Sequence, residues 1–136
     1  MVIEDLLAEA RLQYRDPRFN SENFAPPDSP CRRGRFVAFT LHRDAAAETV
    51  RGVLSDHCLL EPTAYEVAFY AARVWAGRPG KVVAPGILDI AGRAAVAALE
   101  FGNIFYNKPI RSLRFFADSN LWRPGTRFLA LQPFNQ

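Results

Sequence analysis

Apolar and polar positions divide this chain into stretches of helical spacing, strand-like runs and breaks. Residues 2 to 15 place Ile3, Leu6, Leu7, Ala10 and Tyr14 along one side of a helix. Glu4 and Asp5 fall in its first turn and Arg11 and Arg15 towards its last, as the helix dipole favours. Asp16-Pro17 ends that pattern, and residues 16–31 read as a long loop or arm with Phe19 and Phe24 as its large apolar residues. Burial of aromatics favours an arm lying on its own domain over one lying on a partner. Arg32 to His42 reads as a central strand, with Phe36, Val37, Phe39 and Leu41 giving it apolar residues on both faces. Asp44 is the expected N-cap of the next helix, whose stripe runs through Ala46, Val50, Val53, Leu54 and His57.

The stretch from Thr63 to Gly77 is the best specified. Thr63 and Glu66 have the spacing of a capping box, in which each satisfies the other's backbone NH. Val67, Ala68, Ala71, Val74 and Trp75 form one apolar face, Tyr65, Phe69 and Ala72 cover much of the other, and Gly77 is the stop. A helix over 63–76 at the centre of the fold is the expectation. Ile87 to Tyr106, alanine-rich and apolar, is expected as a second long helix, the small residues letting the two axes approach as an antiparallel pair. The rest reads as two strands, IRSLRFFA and TRFLALQ, joined into a C-terminal hairpin through DSNLWRPG.

The elements add up to one α+β domain over residues 1–136, two buried helices and two further helices against a small sheet. Length and composition agree, because 136 residues with 49% hydrophobic and 23% charged can bury a core unaided. The N-terminus has acids before bases, the reverse of a signal peptide, and the apolar runs hold Glu66, Arg73, Asp89, Arg93 and Glu100. No membrane role and a cytoplasmic location follow as expectations. Cys31 and Cys58 lack the spacing of a redox pair or metal knuckle and read as reduced thiols.

Charge alters the picture only at the C-terminal end. From residue 104 onward Lys108, Arg111, Arg114, Arg123 and Arg127 stand against Asp118 alone. These cations are interleaved with Phe115, Phe116, Trp122 and Phe128. Such a surface can hold nucleic acid through phosphates and stacked bases, or an acidic protein face, and neither partner is preferred. Arg111, Arg114, Trp122, Arg123 and Arg127 are therefore the candidate partner-binding residues of a small non-catalytic binding protein. An inhibitor or accessory subunit of a phage or mobile element is a class of this size, with no residue behind it.

Catalytic patterns are weaker. Arg33-Gly34-Arg35-Phe36-Val37-Ala38-Phe39 resembles one part of an RNA-recognition motif, but one residue is missing after Gly34 and the upstream sequence leaves no room for the preceding strand, helix and strand. It reads as ordinary core strand. Arg51 and His57 have the spacing of HEPN ribonucleases, which makes a small enzyme with a dispersed acid/base site the alternative. On one continuous helix the two side chains would lie about 120° apart. Gly77, Gly80 and Lys81 resemble the end of a phosphate loop, but Val82 stands where Ser or Thr is needed. Glu66, Tyr70 and Arg73, with Asp89, Arg93 and Glu100, would form a charged cleft if the two long helices turned these lines together; exposed pairs are the plainer reading. No catalytic residue, metal site or cofactor is expected.

Overall fold

The computed structural model describes residues 2–24, 34–75, 80–88, 91, 94–105, 108–116 and 122–134. In chain order the elements are α1 (Ile3–Ala10), β1 (Tyr14–Arg15), β2 (Gly34–Thr40), α2 (Ala47–Asp56), α3 (Ala64–Arg73), β3 (Gly80–Leu88), β4 (Ala94–Phe105), β5 (Lys108–Phe116) and β6 (Arg127–Pro133). The strands form one mixed sheet in the order β1-β5-β4-β3-β6-β2. Two neighbouring pairs, β1 with β5 and β3 with β6, are parallel and the others antiparallel. Helices α1 and α3 cover one face, and α2 covers part of the other. The result is a single compact α+β domain.

Helix α3 begins as the sequence requires. Glu66 N donates to Thr63 Oγ1 at 3.2 Å and Thr63 N donates to Glu66 Oε1 at 2.9 Å, closing the capping box. Val67, Ala68 and Ala71 are buried against the sheet and α1, and Trp75 is buried just past the helix end. The expected stop, Gly77, lies outside the described residues.

The expected partner of this helix does not form. In the stretch from 87 to 106 the described residues are not helical; they are the end of β3, a turn at Ala91 and the whole of β4. A continuous apolar run suits a strand buried on both faces as well as a helix. Val96, Ala97, Ala98 and Leu99 are consecutively buried because Ala97 and Leu99 face α1 and α3 while Val96 and Ala98 face the α2 core. Gly102 settles the choice, since its φ of 109° sits in a bulge where β4 spends one extra residue against β5. The antiparallel helix pair is thus replaced by the packing of α3 on α1.

Five further expectations are corrected. The two C-terminal strands form, but β4 and β3 lie between them, and the hairpin of this half is β4 with β5. β2 is an edge strand, not a central one, and its residues are half-buried or exposed. The N-cap of α2 is Ala46, not Asp44, and His57 ends that helix exposed to solvent instead of completing its apolar stripe. α1 stops at Ala10 because Arg11 adopts a left-handed conformation with φ of 54°.

The arm, as far as it is described, lies on its own domain. Phe19 and Phe24 are buried with ring centroids 5.1 and 5.4 Å from Phe115. Asp16 anchors it. Its carboxylate accepts from Arg18 Nε at 2.9 Å, Arg18 Nη2 at 2.8 Å, Arg18 N at 3.0 Å and, on β5, Phe115 N at 3.4 Å.

Candidate docking surface

Side chains along β5 alternate between the two sheet faces, and this separates the arginines that the sequence groups together. Arg111, Leu113 and Phe115 point to the α1/α3 side, while Ser112 and Arg114 point to the other. The Arg111 guanidinium lies 4.8 Å from the centroid of Trp75, and its Nη2 donates to the Trp75 carbonyl at 3.3 Å. It caps the chain as it leaves α3, where outward carbonyls attract a cation. Arg114 stacks at 4.8 Å over Tyr14 of the neighbouring strand. Both residues are half-buried, and each has an aromatic ring of its own chain as its partner.

Trp122 is an internal residue. It is 9% exposed, packs edge-on against Phe128 at 6.2 Å, and exchanges backbone hydrogen bonds with Ala45 at 2.7 and 2.9 Å. Arg123 is exposed in the turn before β6, its carbonyl accepting from the Thr126 hydroxyl at 2.8 Å. Arg127 is exposed at the start of β6. The five candidate residues therefore do not form one surface: Arg114 and Trp122 belong to other parts of the fold, and Arg123 stands in a loop.

What the structure brings together is a different set, around the end of α3. Tyr70, Val74, Trp75, Gly80, Lys81, Val82 and Arg127 line a pocket of about 110 Å³. Its floor is apolar and aromatic, with Trp75 and Val82 buried. Lys81 and Arg127 supply exposed cations, and Arg111 lies against the same tryptophan. Among the described residues no carboxylate is within ion-pair distance of Arg127. The sequence pointed to Arg111 and Arg127 but placed Lys81 in a turn, Tyr70 on a charged helix line and Trp75 in the core, because only the sheet order sets the starts of β3 and β6 beneath the end of α3.

The charged line of the central helix is dispersed. Glu66 is 3% exposed and engaged in the capping box, and Arg73 Nε reaches Glu9 of α1 at 2.9 Å. That hydrogen bond holds the Glu9 carboxyl below its ordinary pKa. Glu100 sits half-buried on β4, and Asp89 and Arg93 lie outside the described residues. Arg51 Nε is 3.3 Å from Glu61 Oε1, and α2 is continuous through residue 56, so nothing in its path turns Arg51 towards His57. Cys58 is an exposed free thiol, and Cys31 lies outside the described residues. Among the described residues no group of His, Cys, Asp or Glu is arranged to hold a metal ion, and no helix is long and apolar enough to cross a membrane.

Comparison with protein-family models, with characterised proteins and with solved structures gives no match for this chain.

Proposed function

We propose that this chain is a non-catalytic binding protein that docks on an acidic segment of a protein partner at the Trp75 pocket. The observation that carries the reading is Arg127, exposed and without a carboxylate among the described residues, at the rim of a pocket floored by Trp75 and Val82. Cations over an apolar floor suit a carboxylate followed by an apolar side chain.

The state of the aromatic rings favours protein over nucleic acid. Stacking of bases needs exposed ring faces. Here one side of the Trp75 ring is taken by Arg111, Trp122 is buried on Phe128, and Phe115 lies among Phe19 and Phe24. A cytoplasmic setting accords with the free thiol of Cys58.

Fluorescence anisotropy with labelled peptides of alternating glutamate and leucine, and with single-stranded RNA and DNA, tests the proposal. The acidic peptide should bind at low salt, weaken as salt rises, and bind at least about tenfold less to Lys81→Ala/Arg127→Ala, the loss of two charge-assisted contacts. Tighter binding of the oligonucleotides would replace the protein partner with nucleic acid, and no binding of any probe would remove the reading.

A further inference from the structure

The sheet ends differently at its two margins. β1 offers two residues, too few to template another strand. At the other margin β2 offers seven, joined to β6 in unbroken register from Gly34 opposite Pro133 to Thr40 opposite Arg127. Which of its peptide groups face outward follows from β6. The NH and carbonyl of Leu131 are both engaged with Leu60, each at 2.9 Å. They point away from β2, so Leu131 and Phe36 form a pair with no hydrogen bonds between them. Pro133, which has no NH, keeps the same phase opposite Gly34. Phe36 therefore turns its NH and carbonyl outward, and by the two-residue repeat so do Gly34, Ala38 and Thr40.

Among the described residues none pairs with this row. The strand also lacks the features that keep edges apart, having no proline, no lysine and no bulge. Arg35 is its one charge, and Phe36, Val37 and Phe39 are half-buried.

We propose that β2 forms the interface of a symmetric homodimer, in which two copies join their sheets by antiparallel pairing of β2 with β2. The strand is complementary to itself in the register that engages all four outward residues, with the two-fold axis at Val37. Phe36 then meets Ala38 of the second copy and Gly34 meets Thr40, so each large residue faces a small one. Arg35 faces Phe39, which opposes no like charges and sets a guanidinium beside an aromatic ring. A two-fold contact of this kind is closed, so the sheet extends across two copies and stops.

Three measurements decide it. Light scattering of the full chain should give a doubled molar mass that falls to the monomer value on dilution. Ala38→Pro removes an outward NH while leaving the bonds to β6 in place, and should be monomeric with the thermal melt of the parent diluted to its monomer. Val37→Cys, in a chain with Cys31→Ser and Cys58→Ser, should cross-link to itself on mild oxidation, because residue 37 faces its own copy in a closely spaced pair without hydrogen bonds. If Ala38→Pro fails to fold, the cross-link decides alone. A parent chain that is monomeric at every concentration overturns the proposal, whatever covers the edge. So does a dimer that survives in folded Ala38→Pro, or one in which residue 37 does not cross-link.

Discussion

Asp16 ties the turn after β1 to β5 through one carboxylate. Its hydrogen bonds from Arg18, the burial against them notwithstanding, hold its pKa below the ordinary aspartate value. A carboxyl with a depressed folded pKa contributes stability that is fully present above its unfolded value. That contribution is lost as pH falls through the folded one. Asp16→Asn should lower stability by about 1–3 kcal/mol at neutral pH, since an amide cannot accept all of these bonds, and should flatten the acid limb of the stability profile. Denaturant unfolding of both proteins across the acid range measures this. Trp122 poses a plainer question. Its burial on Phe128 predicts that Trp122→Ala costs about 3–5 kcal/mol, seen as a large drop in melting temperature. An unchanged melt would mean that the ring is not part of the core.

At the scale of elements, the strongest local signal forms where expected, while the weaker local ones at Asp44 and beyond Ala10 and the parts decided by distant packing do not. The box of Thr63 with Glu66 needs four consecutive residues, so α3 is legible from its first turn. β4 is not, because Ala97, Ala98 and Leu99 satisfy either a buried helix or a strand covered on both faces. Gly102 was the available signal. In a helix interior Gly102→Ala would add about 1 kcal/mol of stability. At a φ of 109° the same change strains the backbone and should cost about 1–3 kcal/mol. The sign of the shift in unfolding midpoint therefore separates strand from helix. The basic tail is divided for a related reason. Alternation along β5 sends Arg111 and Arg114 to opposite faces, which a list of neighbouring arginines does not reveal until the strand's pairing is known.

For the whole molecule, the sheet is the frame on which both proposed surfaces depend. Parallel pairing of β3 with β6, Val83 against Phe128, brings Val82 beside Arg127 at one end, beneath the end of α3, with Lys81 one residue away on the same pocket lining, and makes a pocket from residues far apart in the chain. The fold class was legible because helical and strand-like patterns both occur in one chain of single-domain length. The pocket was not, because it exists only once the strand order is known. Since Trp75 is its floor, the most direct test is the fluorescence of that ring in a Trp122→Phe chain titrated with the alternating glutamate and leucine peptide. Docking at this pocket predicts a saturable change in Trp75 emission that weakens with salt and disappears in Lys81→Ala/Arg127→Ala while the melt is unchanged. Binding of the peptide with no change at Trp75, or a change that survives the double substitution, would contradict it.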